Sequence, residues 1–441
     1  MIVPFSLPKT ATAPFCPAEV RGTVAVPVGL SFLQKALRFA GPGLLISVGY
    51  MDPGNWATDI QAGSAYGYRL LFVVVLTSLA AILLQGLSLR LGVASGKDLA
   101  RLCRDHYSRP VTYGLWIMAE LAIIATDVAE VLGGALAVKL LFGLPLWIGV
   151  LATSLDTVIV LGLKGKGFRQ VEAIVLGLVS TIALCFAIQL ALSPPSLSAI
   201  GASFLPNAAL LRDPGALYLA VGILGATVMP HNLYLHSSIV QTRTVQPGDA
   251  GKREAMRFAG LDIVGSLLVA TAVNAAILIL AGSVFHATGH TGVADIGDAY
   301  QLLTPIVGAA IAAPLFAIGL FASGQSATFT GTIAGQVILE GFLNLSMPCW
   351  RRRVITRGLA LIPALGGVLW LGEHAVGRLL VLSQVVLSLQ LPFAIFPLLR
   401  FTGDPSIMGV FASRLWLKVI GWALFAVISA ANLWLIPGLF G

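Results

Sequence analysis

Long apolar runs separated by short polar breaks repeat from residue 40 to the end of the chain and predict eleven helical spans. The first five fall near 40–64, 70–93, 112–142, 145–163 and 170–193. The next six fall near 216–240, 258–283, 306–334, 354–372, 376–399 and 415–438. A bilayer crossing needs roughly 20 mostly apolar residues with backbone bonds satisfied internally, so runs of this length describe a polytopic all-α membrane protein.

Composition agrees: 57% of the 441 residues are hydrophobic and 10% charged, which excludes a soluble globule. Under the positive-inside rule, adjacent loops should alternate in Lys and Arg. The eleven-span count places 23 of the 27 basic residues on one side and leaves only Arg69, Lys139, Arg212 and Arg378 on the other. The N-terminus is therefore expected in the cytoplasm and the C-terminus outside, with the chain in the cell membrane. The net charge of +8 is spread loop by loop without a stripe, so no nucleic-acid partner is expected, and nothing calls for an obligate protein partner.

Residues 1–22 are proline-rich and lack the apolar core of a signal peptide; the segment 1–39 is expected to form a loose cytoplasmic tail. Cys16, Cys103, Cys185 and Cys349 lie far apart and suggest neither disulfides nor a thiolate metal site. His286, His290 and His374 fall in outer loops as solvated residues.

Two spans are interrupted at matching places. GYMDPGNWATD (Gly49 to Asp59) breaks the first, and TVMPHN (Thr227 to Asn232) breaks the sixth. Each break has a methionine, a nearby proline and an amide, and proline inside a helix removes a backbone bond. An offset of five spans reverses direction in the membrane, so 40–193 and 216–399 are candidates for an inverted repeat, with 415–438 outside it. Interrupted segments at corresponding positions point to a transporter's central site. Unwinding frees carbonyls near Gly49 and Ala226; with the Asp52 carboxylate, the Asn55 amide oxygen and the Met229 thioether, these form a ligand set for a cation. The sulfur favours softer divalent metals over magnesium or calcium.

Ionisable residues inside spans are functional hypotheses by default. Glu120, Asp127 and Glu130 share one face of span 3, which suits either a proton path or buried salt bridges, with Arg357 as the obvious partner. His231 is expected to handle protons rather than bind metal, and His236 to be a hydrogen-bonded helix residue. Gln384 and Gln390 in span 10 can bond across helices, and Gln384 can also join the ligands.

DPGN, MPHN and GQSATFTGTIAGQVILEGF (Gly324 to Phe342) together resemble the natural resistance-associated macrophage protein (Nramp) family, over about Gly41 to Ile436. The resemblance implies a leucine-transporter-type 5+5 inverted repeat with helices 1 and 6 broken. It also implies import of Mn2+ or Fe2+ as transported substrate, usually with protons, and no cofactor. It assigns Asp52, Asn55, Met229 and the Ala226 carbonyl as metal ligands, with Gly49 and, in some conformations, Gln384. His231, Asp127, Glu130 and Arg357 take proton-path roles. Gly49 stands where alanine is common in the family, while Met229 argues against magnesium or aluminium as substrate.

A sodium-coupled organic-solute symporter on the same fold is the alternative, but it leaves Asp52 and Met229 unexplained. A membrane metalloenzyme would need a compact ligand triad or a motif such as HExxH, and none occurs in a span.

Overall fold

The computed structural model describes residues 20–155, 168–206, 210–345, 349–372 and 376–440. Helix α1 (Phe32–Phe39) starts at a capping box in which Ser31 and Gln34 exchange side-chain-to-backbone bonds. The first predicted span is two half-helices, α2 (Pro42–Gly49) and α3 (Pro53–Tyr66). Next come α4 (Leu71–Ser95), α5 (Leu99–His106), capped by Asp98, and the 34-residue α6 (Arg109–Phe142). Helix α7 (Leu146–Ala152) opens the fourth span; the rest of that span, 156–167, lies outside the described residues. Helices α8 (Phe168–Leu192) and α9 (Leu197–Ala202) complete this half.

The second half begins with another pair of half-helices, α10 (Pro214–Val228) and α11 (Pro230–Ile239). It continues through α12 (Gly248–Val284), α13 (Ile296–Val307), α14 (Ala312–Leu343) and α15 (Cys349–Leu371). Helix α16 (Val376–Gly403), the short α17 (Pro405–Met408) and α18 (Leu415–Phe440) close the chain. Every predicted span thus falls on a helix or a pair of half-helices, the fourth only in part. Seven helical stretches among the described residues are long and apolar enough to cross a bilayer. The first span is not among them because its break leaves half-helices of 8 and 14 residues. Helix α14 has the length, but Ser323, Ser326, Thr328, Thr330 and Thr332 make its middle polar.

Lipid tails are as apolar as leucine, so close packing at small residues does much of the work of helix association in a membrane. Two such contacts set the site. Helix α6 presses on the first break at Gly133, where a Cβ would lie 2.2 Å from Pro53 Cβ. Helix α10 meets α16 at Gly225, where a Cβ would lie 2.0 Å from the Gln384 carbonyl oxygen. Helix α18 is tied to α16 by a reciprocal pair: the Ser388 hydroxyl donates to Asn432 Oδ1 and Asn432 Nδ2 to the Ser388 carbonyl, both at 2.7 Å.

The expectation of a loose tail over 1–39 needs correction from Val20 onward. Val20, Val26 and Phe39 are buried in the main core, which ties the segment down. Arg21 donates to the Gly96 carbonyl (2.6 Å), Val24 forms an isolated bridge with Arg243, and Lys35 pairs with Glu254. The chain then turns through Gly41 at φ 137°, a conformation that favours glycine. Asp262 accepts from the Gly41 and Gly43 amides at 3.1 and 2.6 Å, capping α2 from a neighbouring helix. Residues 1–19 lie outside the described residues.

Candidate functional site

An α-helical N–H bonds the carbonyl four residues back, and proline has no N–H to give. Four residues before Pro53 stands Gly49; four before Pro230 stands Ala226. Both breaks therefore deny a helical donor to the carbonyls singled out from the sequence. At the first break Asp52 is the N-cap of α3, accepting from the Asn55 amide at 2.8 Å through Oδ1. The Met51 carbonyl is taken by Ser323 Oγ at 2.6 Å and Trp56 Nε1 at 3.2 Å, so that part of the unwound backbone is satisfied by protein.

The two breaks meet. A Cβ on Gly49 would lie 2.4 Å from Asn232 Nδ2 and 3.1 Å from Met229 Sδ. Gln384 on α16 closes the group from a third direction. Its amide lies against Gly54, where a Cβ would be 1.6 Å from Nε2, and beside the Asp52 carboxyl. Asp52, Met229 and Gln384 are each 0% exposed. Asp52 Oδ2, Asn55 Oδ1 and Gln384 Oε1 have no hydrogen-bond partner among the described residues. Buried oxygens without partners are costly and need an explanation. A carboxylate, two amide oxygens, a thioether and two carbonyls make a mixed oxygen and sulfur donor set, of the kind that suits a divalent transition metal.

The ionisable residues predicted on span 3 separate into two groups. Thr126 Oγ1 on α6 and His231 Nδ1 on α11 are 3.4 Å apart, which brings the histidine to α6 beside Asp127. Asp127 and Glu130 both face Gly331 of α14, where a Cβ would lie 3.6 Å from Asp127 Oδ1 and 2.8 Å from Glu130 Oε1. Thr328 donates to Glu130 Oε2 at 3.2 Å, and Arg357 Nη1 stands 3.8 Å from the same oxygen. Arg357 also donates to the Thr153 carbonyl at 3.2 Å. Glu120 lies further along α6, paired with Arg352 at 2.7 Å and accepting from Trp116 Nε1 at 2.9 Å. Its partner is thus Arg352, not Arg357.

His236 is hydrogen-bonded as expected: its Nδ1 lies 3.0 Å from Gln85 Oε1, and Gln85 Nε2 donates to the Tyr50 hydroxyl at 3.0 Å. His286 Nδ1 meets the Ser64 carbonyl at 2.8 Å, whereas His374 lies outside the described residues. Cys103 and Cys185 are buried free thiols. No cluster of three His, Cys, Asp or Glu suited to a metal occurs among the described residues.

Two residues of the site received no role from the sequence. Asn232 Nδ2 lies 3.6 Å from Met229 Sδ and 3.5 Å from the Ile46 carbonyl. Both neighbours are acceptors, which fixes the amide orientation and leaves Oδ1 without a partner. Asp59, two turns beyond Asp52, is 2% exposed and its Oδ2 has no partner among the described residues. Helical spacing was the available signal: Asn232 is three positions from Met229, and Asp59 is four from Asn55 and seven from Asp52.

The family model "Natural resistance-associated macrophage protein-like" matches residues 43–437. The divalent metal cation transporter MntH of Ralstonia nicotianae is 62% identical over 98% of both chains. MntH 1 of Pseudomonas aeruginosa is 60% identical over 99% of this chain and 100% of its own. Among solved structures, the Eremococcus coleocola manganese transporter superposes with a TM-score of 0.89 at 39% identity, covering 96% of this chain and 92% of that one. Mhp1, a nucleobase-cation-symport-1 transporter, shares the fold at a TM-score of 0.59 and 15% identity. With a family model spanning nearly the whole chain and relatives of this identity, the protein is an integral membrane protein of the Nramp family.

Proposed function

We propose that this chain imports a divalent transition metal, Mn2+ or Fe2+, with protons as the coupling ion, by alternating access around the two helix breaks. The close approach of Gly49 to Met229, with the unpartnered oxygens of Asp52, Asn55 and Gln384 buried at the same break, supports this reading, and the Ala226 carbonyl, denied its helical donor by Pro230, is assigned to the same set. Relatives named as divalent metal cation transporters support the substrate class and make an enzyme reading untenable. The organic-solute symporter gains only a shared fold from Mhp1 and gives Met229 nothing to do.

In this reading the metal is cargo, and no resident cofactor is needed. Eleven crossings place the N-terminus in the cytoplasm and the C-terminus outside, with 40–193 and 216–399 as inverted repeats and α18 added beyond them. His231, Asp127, Glu130 and Arg357 form the proton route, which leaves the metal locus along the α6–α14 face. Glu120, held by Arg352, marks its far end. The deciding experiment is uptake into proteoliposomes, with Mn2+ competed against excess Ca2+ and Mg2+ and an internal pH dye read in parallel. Mn2+ entry with acidification is the expected result; absence of Mn2+ entry would overturn the reading.

A further inference from the structure

At the end of the bundle that carries most of the basic loops, a groove of about 570 Å³ runs between α4, α12 and α18. Its walls are of two kinds. Along the membrane it is apolar: Leu79, Ile82, Leu83 and Met256 line it, and Leu79 and Trp416 are exposed on the outer surface of the bundle at 56% and 59%. Gly86 and Gly260 both line it, and an added Cβ on either would meet nothing within 4 Å. Two missing side chains thus leave open space along the groove.

The other wall is cationic. Arg90, Arg253 and Arg257 line the groove, and Arg414 lies close enough to Arg90 to repel it. No acidic residue lines the groove, and the neighbouring carboxylate, Glu254, is engaged with Lys35. Aromatic faces and a carbonyl hold the arginines instead. Arg253 stands 5.7 Å from the Phe411 ring centroid, Arg257 5.7 Å from that of Phe32, and Arg90 donates to the Phe411 carbonyl at 2.9 Å. Stacking on an aromatic face leaves the guanidinium N–H edges available, and their fork geometry suits phosphate oxygens.

We propose that this groove is a binding site for an anionic phospholipid, its headgroup phosphate held by Arg90, Arg253 and Arg257 and one acyl chain lying in the open space along Gly86 and Gly260. Like charges crowded without a carboxylate are stabilised by a bound anion, and a tail supplies the apolar partner that the open space lacks. A zwitterionic lipid would bring its own cation into the arginine cluster and is disfavoured. The site joins α12 and α18 to α4 and, through Phe32, to α1.

The test is native mass spectrometry of the full-length protein in detergent, titrated with dioleoyl-phosphatidylglycerol or dioleoyl-phosphatidylcholine. The wild type should bind the phosphatidylglycerol at least about tenfold more tightly than the phosphatidylcholine. Arg253→Gln combined with Arg257→Gln, both exposed positions, should bring the two lipids to parity. Gly260→Leu or Gly86→Leu should weaken both lipids together by filling that space. Parity in the wild type, or an unchanged preference in the double arginine variant, would overturn the proposal. Equal thermal protection by millimolar inorganic phosphate and by phosphatidylglycerol would also overturn it, assigning the arginines to a soluble anion.

Discussion

Gly49 and Asn232 compete for one volume: the carboxamide of Asn232 occupies the place where a Cβ on residue 49 would stand, 2.4 Å from Nδ2. The same amide is 3.6 Å from the Met229 sulfur, so the absence of a side chain on one broken helix sets the position of the thioether on the other. Gly49→Ala is expected to displace the amide and raise the KM for Mn2+ about three- to tenfold, and Asn232→Ala to do the same. The double variant should be no worse than either, because the truncated Asn232 leaves room for the methyl. Uptake kinetics of the four proteins close the cycle; simple additivity would uncouple the two positions.

Asp52→Ala should reduce metal uptake by about a hundredfold or more while the protein stays in the membrane. A buried charged ligand is worth several kcal/mol to a bound cation. Near-normal Mn2+ uptake by the variant would remove Asp52 from the site.

Met229→Ala should erode the rejection of Ca2+ and Mg2+ more than it lowers Mn2+ transport, because the remaining donors are all hard oxygens. Competition curves measure this directly. An unchanged ratio would show that the thioether is no filter.

Asp127→Asn keeps size and hydrogen-bonding capacity but removes a titratable group, and acidification per Mn2+ should fall while metal entry continues. Persistent acidification would leave the Asp127, Glu130 and Arg357 cluster a purely structural ion network.

At the N-terminal end of α10, Asp213 accepts from the Tyr66 hydroxyl at 2.9 Å and from the Gly215 and Ala216 amides at 2.9 and 3.4 Å. The Tyr66 hydrogen bond, followed by the two amides, holds its carboxyl below the usual carboxylate range. A lowered folded value means that the stabilisation is complete above the unfolded value of about 3.9 and is lost as pH falls through the folded one. The Tm difference between wild type and Asp213→Asn should be constant near neutrality and shrink only in strong acid; a difference that grows as pH falls would reverse the assignment.

The helices were legible in the sequence because apolar length and Pro position are local properties. The breaks at Asp52-Pro53 and Met229-Pro230 fall where the residues predict, and the freed carbonyls follow from the i−4 rule alone. What was not legible depended on which helix faces meet. Arg352 and Arg357 share α15, and only the fold assigns the first to Glu120 and brings the second to Glu130. Asn232 carried the right spacing from Met229, but its importance appears only when Gly49 is brought against it from the other half of the chain. The segment from Val20 to Ala40 reads as tail because its apolar run is too short to span a bilayer, yet Val20, Val26 and Phe39 are buried in the core while Val28, Leu33 and Leu37 stay exposed.

Pro53 and Pro230 also divide the proposed donors by how heredity can reach them. Asp52, Asn55, Met229 and Gln384 each answer to a codon, so their chemistry can drift or be redesigned one substitution at a time. The carbonyls of Gly49 and Ala226 have no codon of their own, and any residue placed there would present the same oxygen. Only replacing the prolines four positions downstream can withdraw them, because another residue there brings the N–H that closes the helix. The part of the proposed donor set that substitution in place cannot change is therefore written at a distance from itself, in two residues that donate nothing.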